Sequence, residues 1–517
     1  MSFRRVRFAL PLIAAVVVMA CSVPPLQVTP QPRNQVVEAP RELPKIPDPD
    51  PGAAEVPQGY HVELVVKDLV YPSCCDLDGE GNLYIAEAGY VYGDEAAPAR
   101  IWRVSASGEM RIIADQLNGP ITDVLFHEGR LYVAQKGKVS VIEGGGKIRD
   151  LVTDLPSFGD HFNNQLAIGP DGKIYFGQGV ATNSGVVGVD NFVFGWLPKH
   201  PGLHDVPAKD IQVSGHEFVT LDPMVLSSTK EPPLVRTGAF GAFGKGKVEG
   251  GVVKGSVKAN GTILRMDPDG CNLEVFAWGV RNPYGLHWGS DGKLYCADNG
   301  YDDRGSRPVG NAPDVIWTIR QGGFYGWPDF VAGEPITDPK FRAPDKPALQ
   351  FIMKDHPQVE KPLLTLPKQS AVTQIDISRG DEFGFKNQLF VGNYGDMSPL
   401  VGQSHPVGHQ VVRVDPVARS AETFFRARQS SLGPKNMEYV QTAGPKRIVG
   451  VRFSPDGDAL YVADIGAVAV IPSATPAIHP FPGTGAIWRV TKEGTKTKGP
   501  PANLSPLAGR GQAARPQ

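Results

Sequence analysis

One hairpin is written six times along this chain. "CDLDGEGNLYIAEAG" begins at Cys75, "VLFHEGRLYVAQKG" at Val124 and "LAIGPDGKIYFGQG" at Leu166. "LHWGSDGKLYCADNG" begins at Leu286, "IDISRGDEFGFKNQLFVGNYG" at Ile375 and "VRFSPDGDALYVADIG" at Val451. Each is a short apolar strand, a turn carrying Gly, and a second strand that opens on Leu or Ile followed by Tyr or Phe. Asp-Gly between alternating runs is a strong hairpin signal. A third apolar strand follows each copy: "RIWRV" at Arg100, "KVSVI" at Lys138, "TILRM" at Thr262, "VIWTI" at Val315, "VVRVD" at Val411 and "AIWRV" at Ala486. A fourth often comes after that. Such a unit cannot bury its apolar face alone, but stacked copies can. The pattern predicts an all-β chain, a six-bladed β-propeller with four-stranded antiparallel blades. "YHVELVVKDL" precedes the first unit and is placed to complete the last blade, which would close the ring and remove an exposed sheet edge.

The propeller is read as residues 59–491. A long insertion, about 181–260 and rich in Gly, Pro and Lys, separates the hairpin of unit 3 from its third strand. Loops of that length in compact folds are functional or poorly ordered. Residues 1–20 read as a signal peptide: Arg4, Arg5 and Arg7 lead into "FALPLIAAVVVMA", which is short for a membrane span. The segment runs into "VMAC", similar to a bacterial lipobox, which would make Cys21 the lipidated residue. Residues 21–58 are proline-rich and read as an extended tether. Residues 492–517 read as a disordered tail. The expected location is therefore periplasmic or at the cell surface, lipid-anchored to a bacterial membrane. The net charge of -2 gives no polyanion-binding surface, so nucleic acid is not an expected partner. Cys74, Cys75, Cys271 and Cys296 form no CxxC, so a zinc ribbon or an attached c-type haem is not supported.

In each hairpin the turn lies at one end, so the residues that flank the two strands meet at the other. In a propeller those ends gather around one mouth of the central channel. Before unit 3 stands "GDHFNNQ", with Asp160, His161, Asn163, Asn164 and Gln165. Before unit 4 stands "VRNPYG", with Arg281 and Asn282, and before unit 6 "GPKRIVG", with Lys446 and Arg447. After the second strand of unit 4 comes "DNGYDD", Asp298 to Asp303. Polar and ionisable groups leading into apolar strands on one face make a candidate site.

These residues also carry a family resemblance. "GVRNPYGLHWGSDGKLYCADNG", "GGFYGWPDF" at Gly322–Phe330 and "DHFNNQLAIGPDGKIYFGQG" resemble the glucose/sorbosone dehydrogenase family, six-bladed propellers that use pyrroloquinoline quinone (PQQ) and Ca²⁺. The resemblance runs from about residue 60 to 490. It implies that His161 is the general base, taking a proton from a sugar hydroxyl as hydride passes to the quinone, a task suited to imidazole. It implies that Arg281 and Asn282 meet the quinone oxygens, where a guanidinium stabilises developing negative charge. Asn164, Gln165 and Arg447 would join the cofactor contacts, and the backbone carbonyls of Gly300 and Tyr301 would ligate calcium. Electrons would leave to an external acceptor. Four positions depart from the family pattern. A lysine falls at Gly395 and a second arginine at Val449. The acidic support of the histidine falls in "GQGVATN", and a glutamate of a second calcium motif falls at Val315. Three functions are open at this point: oxidation of an aldose or sugar aldehyde, a calcium-dependent lactonase-type hydrolase built on Asp298, Asp302 and Asp303, and a non-catalytic binding module.

Overall fold

The computed structural model describes residues 43–90, 97–225, 233–246, 251–397, 406–434, 437–471 and 478–507. The leader and Cys21 lie outside the described residues. Six four-stranded antiparallel blades follow one another around a channel. Blade 1 is Pro72–Leu77, Leu83–Glu87, Arg100–Val104 and Met110–Ala114. Blade 2 is Ile121–His127, Arg130–Gln135, Lys138–Glu143 and Lys147–Val152. Blade 3 is Asn163–Ile168, Ile174–Gln178, Thr262–Met266 and Glu274–Trp278. Blade 4 is Pro283–Trp288, Leu294–Asp298, Asp314–Ile319 and Leu364–Leu366. Blade 5 is Val372–Ile377, Leu389–Asn393, Gln410–Asp415 and Ser420–Ala427. Blade 6 is Ile448–Phe453, Ala459–Asp464, Gly485–Lys492 and, as expected, the early strand Tyr60–Leu69. Tyr60 pairs with Lys492 and Leu69 with Gly485, so the first strand of the ring seals the last blade.

The first strand of each blade lines the channel, and the apolar residues of neighbouring blades interdigitate between them. Cys74 and Cys75 show the alternation well. Both are fully buried free thiols. Cys74 packs toward blade 2 with Val124 and Val133, and Cys75 toward blade 6 with Tyr461 and Ile487. Below the mouth the channel is plugged by polar side chains. Arg452 Nη2 reaches Asp123 Oδ1 at 3.1 Å, Gln374 Nε2 donates to the same oxygen at 2.8 Å, and Gln165 Nε2 donates to Ile375 O at 3.0 Å.

Two stretches expected to lack structure have it. Ala54–Glu55, within the proposed tether, adds a fifth strand to blade 5 through Ala54↔Ala427. Within the proposed tail, Asn503 N donates to Leu64 O at 2.7 Å and Lys67 N to Leu504 O at 2.9 Å. Each covers the outer edge of a blade, where unpaired backbone groups would otherwise face water. The insertion is built as well. It holds the short helices Val189–Val193 and Trp196–Lys199 and the hairpin Glu217–Leu221/Leu234–Gly238. Its Ile211, Val213 and Phe240 join Trp278, Trp327 and Phe341 in one apolar cluster. The "GWPDF" block anchors this region. Asp329 pairs with Arg307 at 2.7 Å, both side chains fully buried, and also accepts from Ile352 N, Met353 N and His356 Nε2.

Candidate functional site

A cavity of about 250 Å³ opens at the mouth of the channel. Its floor has a simple origin in the strand pairing. In every blade the register between first and second strands shifts near the start of the first strand: Pro72/Cys74, Ile121/Asp123, Asn163/Leu166, Pro283/Gly285, Val372/Ile375 and Ile448/Gly450. A bulge leaves a residue out of the ladder and re-aims its side chain. The first residue so released in each blade, Ser73, Thr122, Asn164, Tyr284, Thr373 or Val449, lines the cavity. Each is the second residue of its innermost strand, so stacking the six hairpins two residues further back would have revealed the set.

A second device holds the loops that lead into the first strands. In blade 4, Asp298 ends the second strand and accepts from Arg281 N at 3.2 Å, Asn282 N at 2.7 Å and Trp317 Nε1 at 3.0 Å. Burial raises its pKa to about 6, against these donors. Glu87 does the same in blade 1 with Val70 N and Trp102 Nε1, and Asp464 in blade 6 with Lys446 N, Arg447 N and Trp488 Nε1. This clasp explains why Arg-Asn-Pro stands where an apolar strand begins: the carboxylate fixes the two amides, and the two side chains are left to face the cavity.

His161, Arg281, Asn282, Asn164, Gly300 and Tyr301 all line this cavity. His161 is buried, and its Nδ1 lies 3.0 Å from Val180 O. A carbonyl can only accept, so Nδ1 carries the proton and Nε2 of the neutral ring is the acceptor. A backbone carbonyl thus orients the ring where the family pattern has a carboxylate. Burial, then the cations of Arg281 and Arg304, hold its pKa well below the usual imidazole value. Gly179 makes the fit possible, since a Cβ there would stand 2.4 Å from His161 Cβ. Arg281 donates from Nε to Asn183 O at 3.1 Å, and from Nη2 to Asn183 Oδ1 at 2.9 Å and Asp302 Oδ2 at 3.1 Å. Among the described residues its Nη1 has no partner. Asn164 Nδ2 donates to Asn282 Oδ1 at 3.0 Å, and Asn282 Nδ2 to Asn299 Oδ1 at 2.7 Å, a chain of amides crossing from blade 3 into blade 4. The carbonyls of Gly300 and Tyr301 accept no hydrogen bond from described residues. Unclaimed hard oxygens of this kind suit a calcium ion.

Two expected cofactor contacts lie elsewhere. Gln165 is fully buried and does not line the cavity; its Oε1 accepts from Leu286 N and Ile375 N, each at 3.0 Å, pinning blades 3, 4 and 5 together. Successive strand residues face opposite ways, so Asn164 and Gln165 cannot both face the mouth unless the bulge turns both. Arg447 is clasped like Arg281, but its Nη1 donates to Asp396 O at 2.9 Å and Gly395 O at 3.3 Å, behind the blade 5 rim. The hydrolytic cage is not formed either. Asp298 is spent on the clasp, and Asp302 on Arg281 and Arg304. Among the described residues no three His, Cys, Asp or Glu side chains gather around a metal position.

Residues 245–464 match the family model for glucose/sorbosone dehydrogenase. This is the family the sequence resembles. Over 184 residues the chain is 28% identical to quinoprotein glucose dehydrogenase B of Acinetobacter calcoaceticus, covering 36% of this chain and 29% of that one. The match therefore takes in less than a third of that relative. The fold superposes on the holo form of the pyranose dehydrogenase PQQ domain from Coprinopsis cinerea, with TM-score 0.52, 16% identity, and 87% of this chain against 99% of that one. It superposes equally on a Trichoderma reesei carbohydrate-active enzyme of family AA12, with TM-score 0.52, 14% identity, and 87% against 100%. At these identities the likeness is one of fold.

Proposed function

We propose that this chain is a PQQ- and calcium-dependent dehydrogenase that oxidises an aldose or sugar aldehyde and passes the electrons to an external acceptor. The observation that carries this reading is the pairing in one cavity of a neutral, oriented imidazole with an arginine whose Nη1 has no partner among the described residues. When bound, PQQ would supply a two-electron sink for the oxidation. His161 Nε2 takes the hydroxyl proton, with Val180 O steadying the ring from behind. Arg281 Nη1 and Asn282 would hold the cofactor, and the carbonyls of Gly300 and Tyr301 would hold the calcium. The cavity lining carries two guanidinium groups, Arg281 and Arg304, against the carboxylates of Asp160, Asp302, Asp314 and Asp396. A cofactor bearing three carboxylates therefore needs the divalent cation, and PQQ binding is expected only with calcium present. By the leader and lipobox motifs, the enzyme works outside the cytoplasm on a lipid anchor.

The test is a titration of metal-free protein with PQQ and Ca²⁺, followed by dye reduction with a panel of aldoses and aldehydes. His161→Gln is expected to bind PQQ normally and to lose about 10²–10⁴-fold in turnover. A chain that binds no PQQ with calcium present, or a His161→Gln variant with full turnover, overturns the reading.

A further inference from the structure

Arg304 holds neither cofactor nor substrate in that reading, yet each of its nitrogens meets a different carboxylate. Nη2 donates to Asp160 at 2.7 Å, Nη1 to Asp190 at 2.6 Å and Nε to Asp302 at 3.1 Å. The three aspartates come from the loop before blade 3, the insertion helix Val189–Val193 and the loop after the second strand of blade 4. The guanidinium also lies 5.0 Å over the Phe194 ring and lines the cavity.

One end of this clamp bonds the Arg281 side chain and the other is the chain neighbour of His161. Asp160 precedes His161, and the two form successive rungs with the insertion, Asp160 N to Ala181 O and His161 N to Val180 O. Asn191 Nδ2 holds the other oxygen of Asp160 at 3.2 Å. Asp302 is shared with Arg281. The packing leaves no slack, since a Cβ on Gly188 or Gly305 would come within 2.7 and 2.8 Å of Asp190 Oδ1.

We propose that Arg304 is the positioning residue of this cavity: by joining Asp160, Asp190 and Asp302 it fixes His161 and Arg281 relative to one another and closes the insertion onto the rim. Only a planar fork with donors on three sides can do this; a lysine ammonium matches the charge but not the geometry. Without Arg304, Arg281 would still pair with Asp302, but the repulsion among the three carboxylates would separate the loops. The cations acting on His161 are Arg281 and Arg304; Asp160 precedes it on its own loop, Asp190 and Asp302 meet Arg304 from the insertion and blade 4, and Asp205 holds Ala181 N. Removing Arg304 tips that balance toward negative charge and raises the proton affinity of the imidazole.

The test compares the full chain with Arg304→Gln and Arg304→Lys. Its first readout needs neither PQQ nor metal: the His161 side-chain NMR titration, assigned with His161→Gln. Arg304→Gln is expected to move the midpoint up by about one pH unit or more. Its second readout is dye reduction with PQQ and Ca²⁺, and so rests on the dehydrogenase reading. There Arg304→Gln is expected to lose about 100-fold in kcat, the order of cost of a small misplacement of reacting groups, with KM little changed. Arg304→Lys is expected to restore the titration but not kcat. An unmoved titration with full kcat in Arg304→Gln overturns the proposal, and so does complete rescue by lysine, which would make the residue a charge and nothing more. Should Arg304→Gln fail to fold, Asp190→Asn releases only the insertion arm. A kcat near wild type in that variant overturns the clamp, and a drop of about 10-fold supports it. A wild-type chain that reduces no dye sinks the dehydrogenase reading and leaves the titration to decide the clamp.

Discussion

In blade 4, Asp298 gathers the amides of Arg281 and Asn282 with the Trp317 indole; in blade 6, Asp464 gathers those of Lys446 and Arg447 with the Trp488 indole. Both innermost strands bulge at their second residue and follow it with glycine, Gly285 or Gly450. The frames match, and what they carry differs. Blade 4 presents an open guanidinium, an amide chain and two unclaimed carbonyls. Blade 6 presents Val449, Ile465 and Ile478, and turns its arginine onto the carbonyls of blade 5. The neighbouring Lys446 is buried, and that burial lowers its pKa. The clasp and bulge thus decide where a loop ends, while chemistry is decided by which way its side chains then turn.

That contrast can be broken most directly by truncating both arginines. Arg281→Ala is expected to lose about 10²–10³-fold in turnover, as for loss of one donor to a developing oxyanion. Arg447→Ala should keep turnover near wild type. Equal losses in dye-reduction assays would show that the two blades contribute alike. The clasps come next. Asp298→Asn and Asp464→Asn should each cost about 1–3 kcal/mol by leaving amide donors unmet, read as matching shifts in denaturant midpoint. Only Asp298→Asn should also impair turnover.

A smaller effect is expected from Val449→Arg, which would put a cation on the apolar wall. PQQ affinity measured by absorbance titration should rise about tenfold, since one charge-assisted pair is worth that much. Weaker binding would place the cofactor carboxylates away from blade 6. The least change is expected with pH. His161 must be neutral to accept a proton, and its lowered pKa keeps it neutral well into acid. The acid limb of kcat/KM should therefore lie below the ordinary imidazole value of about 6.5. A limb above that value would show that negative charge, and not burial with Arg281 and Arg304, dominates around the ring.

The ring itself was legible because its evidence is periodic: six hairpins, six third strands and one early strand left over to seal the last blade. The site was legible where polar residues interrupt apolar runs, as at His161 and Arg281-Asn282. Within blade 3 alone nothing tells which of Asn164 and Gln165 faces the mouth, because the bulge that decides it leaves no mark in composition; only the six hairpins stacked two residues further back set Asn164 beside its counterparts. Nor could spacing tell that Arg447 turns away, since loop position fixes a backbone and not a rotamer. Arg304 stayed hidden for a further reason. It meets Asp190 across 114 residues, through an insertion with no period to read. The edge-covering segments at Ala54–Glu55 and 503–504 were missed because proline-rich and polar stretches give no apolar alternation, although a blade edge needs only their backbone.

The bulge has a consequence for descent. A residue outside the ladder can change without breaking the ladder itself; Ser73, Thr122, Asn164 and Thr373 also bond the next blade, whereas the apolar Val449 is free to drift. A lineage can exchange a cation for Val449 and still fold, with the same hairpins and the same seal. Binding preference would then diverge faster than architecture, and two such propellers could share every blade while differing in what they hold.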